Sequence, residues 1–213
     1  MTVKAPVVDE SLAAAADESA VVRHLRELTR WVGAGRGLTQ TGRIKLADAR
    51  ALVALLETGD EIDPRFGDHV HRTTSSDELY GLNAILGWAR VAGLVRVVRG
   101  RLVPVKKALP LLDRPLELWD RAFDAFTSLG EALCPEWLGG TLLRQEFEPA
   151  MTAVLTRLYG GPLPVGEVCA LAWEVSSHRY VIPDAPDPRG PRWRRVNDRD
   201  TELALQALAS LGA

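Results

Sequence analysis

The chain lacks most of what would assign a chemistry on sight. It has two cysteines in 213 residues, Cys134 and Cys169, far apart in sequence. They form neither a disulfide scaffold nor a metal-binding spacing, and they fit a reducing interior. No Gly-x4-Gly-Lys phosphate loop, Gly-x-Gly-x-x-Gly turn, His-Glu-x-x-His helix or Gly-x-Ser-x-Gly elbow is present. No apolar run approaches the ~20 residues that cross a bilayer. The N-terminus lacks the basic start and apolar core of a secretory signal. Charge of one sign is also missing: the net charge is −2 and the pI about 6.1. A dedicated nucleic-acid binder is usually more basic, so only local charge can carry such a role. These absences point to a cytoplasmic protein with no membrane segment, no cofactor and no catalytic motif.

What is present is ordinary globular material, 46% hydrophobic and 25% charged, which argues against disorder. Residues 1–8 read as a tail and Asp9 to Ala20 as an Ala-rich helix. Val21 to Val32 has apolar residues at helical spacing, stopped by Gly33 and Gly35. Leu38 to Ile44 reads as a short strand or turn. A helix carrying Leu46, Ala49, Leu52, Val53 and Leu56 follows, stopped by Gly59. Residues 59–75 are polar loop. Ser75 or Ser76 can cap the next helix, with Asp77 and Glu78 in its first turn, and that helix ends at Gly93. Leu94 to Arg99 and Arg101 to Val105 are β-branched runs around Gly100, which predicts a hairpin.

Pro110 to Pro115 is the expected boundary. Beyond it the spacing predicts helices over Leu116 to Leu133, Leu142 to Tyr159 with a kink or restart at Pro149, Val165 to Val175, and Asp200 to Leu211. Residues 183–191 are rich in Pro, Asp and Gly and read as loop.

The order of elements recurs. Leu28-Thr-Arg-Trp-Val-Gly33 matches Leu155-Thr-Arg-Leu-Tyr-Gly160. Ala47 to Val53 matches Val168 to Glu174. Leu86 to Gly93 matches Leu205 to Gly212. Both copies read helix, turn, helix, long loop, helix ending in Gly, and the second stops where the first turns into its hairpin. A helical trio followed by a two-stranded ribbon is a winged-helix outline. The loop between the two inner helices is far longer than the ~3–4 residues of a plain helix-turn-helix.

The stretch from Trp31 through Leu38-Thr-Gln-Thr-Gly42, Leu46-Ala-Asp-Ala-Arg50 and Ala92-Gly-Leu-Val-Arg96 resembles a group of uncharacterised actinobacterial, Streptomyces-type proteins with tandem winged-helix-like units. The resemblance covers the first half well and the second loosely. It implies a shared fold and brings no activity with it. Members of the group tend to be longer, so the stop at Gly212-Ala213 fits a fragment missing a second hairpin.

Five cations crowd the hairpin with no acidic residue among them: Arg96, Arg99, Arg101, Lys106 and Lys107. They can lie along phosphates or enter a minor groove, or serve as solvated charges on an edge strand. On the preceding helix Asn83 and Arg90 are residue types that read bases, but Asp77 and Glu78 at its head would repel phosphate. His69 and His71, with Asp68, have alternating spacing but no third ligand nearby, and His24 and His178 are distant. Ser177-His178 are sequence neighbours, which seldom face each other. Trp31, Trp88, Trp119 and Trp173 read as core, and Trp137 as loop. Trp193 lies amid Arg189, Arg192, Arg194 and Arg195, an arrangement that can stack bases and grip phosphate or cover an acidic patch.

The expectation is a mainly α protein with small β-hairpins. It has an N-terminal segment 1–20, a winged-helix-like unit over 21–112 and a second, hairpin-less helical unit over 113–213. Its expected role is non-enzymatic and regulatory, contacting double-stranded DNA through the wing. The alternative is a protein–protein scaffold, as a homodimer or on another partner.

Overall fold

In a computed structural model, residues 8–134, 141–180 and 192–212 are described. The chain is mainly helical, with two small antiparallel sheets. It divides into two compact units, residues 1–124 and 125–211. The division falls C-terminal to the expected boundary at Pro110 to Pro115. That stretch is instead the end of a 3-10 helix, Lys106–Asp113, leading into a helix at Pro115. Trp88, buried in the first unit, donates its indole N–H to the Ala122 carbonyl (2.9 Å), which keeps that following helix with the first unit.

The first unit begins with α1 (Val8–Glu18) and α2 (Ala20–Val32). α2 buries Val21, Val22, Leu25, Leu28 and Val32, the stripe that its spacing predicts. Next come β1 (Arg36–Gly37) and α3 (Leu46–Leu56), the latter burying Ala49, Leu52 and Leu56. The loop after α3 carries a miniature hairpin, β2 (Arg65–Phe66) with β3 (His69–Val70). A 3-10 turn at Ser76–Glu78 leads into α4 (Tyr80–Val91), which packs on α2 and α3. The ribbon β4 (Val95–Val98) and β5 (Arg101–Pro104) completes a three-stranded antiparallel sheet of order β1-β5-β4. Of the strand or turn expected over Leu38 to Ile44 the turn is what forms, closed by the Gly42 N–H on the Thr39 carbonyl (2.9 Å), while the strand lies just before it, where Arg36 and Gly37 reach Leu102 and Arg101 of β5. α5 (Pro115–Ala125) follows.

In the second unit the helix expected over Leu116 to Leu133 is broken. α5 gives way to a 3-10 turn at Phe126–Ser128 and then to a short α6 (Gly130–Leu133). The next expected helix is also two, α7 (Leu142–Gln145) and α8 (Phe147–Tyr159). Pro149 sits in the first turn of α8, where the missing N–H costs no helical bond. α9 (Val165–Ser177) and α10 (Arg192–Ala209) close the unit. α9 is its hub, packed by α7, α8 and α10. Residues 160–164, between α8 and α9, are turn and irregular chain rather than strand. The expected loop at 183–191, with Arg189, and the loop carrying Trp137 lie outside the described residues.

Candidate functional site

The wing is built by a two-residue turn. Val98 pairs with Arg101, and Arg99 and Gly100 between them both have positive φ, 50° and 71°. A turn with two left-handed residues matches the twist of an antiparallel ribbon. Glycine takes that conformation freely, whereas at Arg99 it costs about 1 kcal/mol.

The register sorts the two faces. Leu102 and Val95 turn inward and are buried. Arg96 lies opposite Val103, and Arg101 opposite Val98. Arg96 and Arg101 therefore share the outer face as diagonal neighbours, a relation within reach of long side chains. Arg99 occupies the tip. Lys106 and Lys107 stand just past the hairpin's base, where the Val105 N–H donates to the Leu94 carbonyl (2.8 Å). All five cations are exposed.

β1 braces this ribbon. The Arg101 guanidinium donates to the Gly35 carbonyl (2.8 Å), and the Leu38 N–H donates to the Gly100 carbonyl (2.9 Å). Arg36, which carries no motif in the sequence, lies over the Trp31 ring at 4.3 Å from its centre. It also donates through Nε and Nη2 to the Trp31 carbonyl (3.1 and 3.0 Å). Trp31 is thus half-buried under an arginine rather than sealed in the core.

Several arginines outside the wing are ion-paired, although Lys45, Arg65, Arg72, Arg90 and Arg121 have no salt bridge among the described residues. Arg23 pairs with Glu57 (3.1 Å), Arg26 with Asp17 (2.6 Å) and Arg30 with Asp113 (2.8 Å). Arg43 pairs with Asp77 (2.6 Å), Arg50 with Asp63 (3.1 Å) and Arg114 with Glu117 (3.2 Å). Among the described residues, no carboxylate lies within salt-bridge distance of Arg96, Arg99, Arg101, Lys106 or Lys107.

The head of α4 is the reverse: acidic, and committed to its own chain. Glu78 closes a capping box with Ser75. It accepts from the N–H groups of Thr74 (2.9 Å) and Ser75 (3.0 Å), from the Thr74 hydroxyl (2.9 Å) and from His71 Nε2 (2.7 Å). Asp60 reaches in from the loop after α3. Its carboxylate accepts from the N–H groups of Gly81 (2.9 Å) and Leu82 (2.8 Å), the first free donors of the helix. Asn83 donates its side-chain amide to the Ser76 carbonyl (2.8 Å). Asn83 is therefore turned onto its own helix head. Arg90 remains exposed in the last turn. His71 is spent on Glu78, and among the described residues no three His, Cys, Asp or Glu side chains gather into a metal cluster.

These bonds make Glu78 pH-sensitive. The bond from His71, then those from Thr74, bring its carboxyl down from an ordinary 4.5 to about 2. As pH falls, the unfolded chain takes up the proton before the folded one does. The stabilisation is complete above about 4.5 and drains away between 4.5 and 2. For a partly exposed group it amounts to about 1 kcal/mol. Asp63, held low by the Thr73 N–H, titrates in the same direction. Urea midpoints measured across this range should therefore fall less steeply for Glu78→Gln than for the parent. Parallel profiles would mean that Glu78 contributes nothing to the acid sensitivity.

Both cysteines are free and buried. Burial, reinforced by the charge of Asp200, pushes the Cys134 thiol up to about 12. Burial raises Cys169 as well. Each stays protonated near neutrality, which is the opposite of an activated nucleophile.

No family model, curated protein or solved structure significantly matches the chain. The functional reading therefore rests on this geometry alone.

Proposed function

We propose that the first unit is a winged-helix-type module that contacts the phosphate backbone of duplex DNA through its wing, without reading bases through α4. The order helix, short strand, helix, helix, hairpin supports the fold reading, together with the sheet order β1-β5-β4. The observation that carries the function is the clustering of charge. The wing and its base bring together five exposed cations with no carboxylate in salt-bridge distance among the described residues, whereas the other unpaired cations of the unit, Lys45, Arg65, Arg72, Arg90 and Arg121, are spread along the chain. Phosphate oxygens are the partners such a row fits. The head of α4, where base contacts normally cluster, carries Asp60, Asp77 and Glu78 and would repel a phosphate. The interaction is thus an electrostatic one that registers the duplex rather than its sequence. The tandem reading extends to the second unit, where α8, α9 and α10 repeat the order of α2, α3 and α4.

Anisotropy titration of mixed-sequence duplex at low and near-physiological salt tests this. The informative variant is Arg96→Ala/Arg99→Gly. It leaves Arg101 on Gly35, and glycine keeps the turn. Binding should weaken about tenfold. The slope of log Kobs against log salt should flatten by about 0.9 for each phosphate that is no longer neutralised. No binding by the parent at low salt, or an unchanged slope in the variant, would sink the reading. Val97 and Val98, exposed on the edge strand β4, favour docking of a protein partner as the second reading. Such an interface would persist as salt rises.

A further inference from the structure

The second unit keeps a group of polar side chains in its interior, where α6, α7 and α10 meet. Asn197, Asp200 and Thr201 of α10 are all 0% exposed. Thr141, the N-cap of α7, and Cys134, at the end of α6, are buried too. The Thr141 hydroxyl accepts from the Arg144 N–H (3.2 Å) and meets the Cys134 thiol. The Arg144 guanidinium donates to the Cys134 carbonyl (3.1 Å). Asn197 Oδ1 accepts from the Leu143 N–H (3.1 Å), one of the first donors of α7, which no helical carbonyl can serve. Asp200 Oδ1 accepts from Arg199 Nε (3.0 Å) and Nη2, and its charge reaches the Cys134 thiol.

Two buried atoms are left over. Asn197 Nδ2 and Asp200 Oδ2 have no hydrogen-bond partner among the described residues, and they do not bond each other. A bare donor and a bare acceptor in a core are costly, and buried polar groups nearly always find partners. The two residues are three apart on the buried stripe of α10, which sets their Cβ atoms about 5–6 Å apart. One small molecule with hydrogen bonds of about 2.9 Å to each spans that separation. The chemistry of the pair selects the molecule. The Leu143 N–H fixes Oδ1 as the oxygen of the Asn197 amide, so the other end is a donor. A cation would suit Asp200 but face the amide N–H groups. An anion would suit Asn197 but face the carboxylate. A neutral group that accepts from one and donates to the other satisfies both, and water is the smallest.

We propose that Asn197 and Asp200 form a binding site for one buried water, which accepts from the Asn197 amide and donates to Asp200 Oδ2. The water completes the polar junction that ties α10 to α7 and lets α10 carry a carboxylate inward. The site belongs to a different unit from the wing and does not depend on the wing's role.

The test is a pair of water-selective NOE and ROE spectra of the isotope-labelled full chain. The Asn197 side-chain N–H protons should show a cross-peak at the water frequency, with NOE and ROE of opposite sign, as a long-held water gives. The Thr201 hydroxyl donates to the Asn197 carbonyl (2.9 Å) and its exchanging proton could relay a false signal, so Thr201→Val should keep the peak. Asp200→Leu is close in volume and removes the acceptor, and should abolish the peak. The Arg199 side chain it releases is already 36% exposed and can turn to solvent. Urea midpoints of the parent should be equal in sodium, potassium and choline chloride. The proposal is overturned by absence of the peak in the parent, by its loss in Thr201→Val or by its persistence in Asp200→Leu. A midpoint that rises in sodium or potassium would also overturn it, since a cation would then hold the site. Should Asp200→Leu fail to fold, the spectra of the parent and Thr201→Val and the salt series still decide.

Discussion

Gly81→Ala should destabilise the protein by about 3 kcal/mol, although alanine is the better helix former. A Cβ at Gly81 would stand 2.5 Å from the Thr58 carbonyl oxygen and 3.2 Å from Asp60 Oδ2. The first of these is backbone and cannot rotate aside. Either α4 shifts, or the segment Thr58 to Asp60 moves away and takes the Asp60 carboxylate with it. That carboxylate serves the N–H groups of Gly81 and Leu82 and is itself steadied by the Thr58 hydroxyl (2.7 Å). Overpacking costs about 1–3 kcal/mol, and breaking each charge-assisted bond adds about 1 kcal/mol or more. The propensity gain of alanine, about 1 kcal/mol, is too small to reverse the sign. Urea unfolding of the two proteins decides it. A variant as stable as the parent would mean that the loop yields and that Asp60 is not fastened to α4.

The parts of this fold that can be read from sequence are those whose signals are local. The hairpin declares itself through β-branched runs about Gly100, and α2 and α3 through apolar spacing. The cap of α4 is visible because Ser75 and Glu78 stand three residues apart. Asp60 is not visible, because it lies 21 residues before the N–H it serves and belongs to no motif. α10 begins at Arg192, well before the expected Asp200, for a different reason. Its buried stripe does repeat at helical spacing, but it opens with Asn197, Asp200 and Thr201, all with 0% exposure. Polar residues there disguise a core face that apolar spacing would otherwise reveal. Asn197 and Thr201 find use inside: the Asn197 side chain accepts from the Leu143 N–H (3.1 Å), and the Thr201 hydroxyl donates to the Asn197 carbonyl (2.9 Å).

The candidate site divides in the same way. The wing's cations are legible because no acid interrupts them in sequence. Which other arginines are ion-paired is not, since the pairs of Arg23 and Arg30 span 34 and 83 residues. Arg36 is invisible because its role depends on a ring five residues away across a turn.

In the second unit the largest loss should come from Phe126→Ala, about 3–5 kcal/mol. A continuous helix from Leu116 to Leu133 would have carried position 126 on the helical course of α5. The chain instead tightens to a 3-10 turn at Phe126–Ser128. Phe126 is left 1% exposed, its ring edge-on to Phe147 at 6.1 Å between centres. Gly130, at the start of α6, lets that pairing close. A Cβ there would meet Phe147 Cβ at 2.7 Å and the Arg144 carbonyl at 2.9 Å. The three residues interlock, so truncating Phe126 leaves a void that α6 and α8 cannot fill by sliding together. They already touch at the glycine. Phe123 supplies the comparison. It is half-buried and stacked on Trp119 at 5.3 Å, and Phe123→Ala should cost clearly less, about 1–2 kcal/mol. Denaturant unfolding of both variants reads the difference. Equal costs would mean that the break at residue 126 places no special demand on its side chain. A larger cost at 126 would place more of the packing in the buried Phe126–Phe147 pair than in the half-exposed Trp119–Phe123 stack.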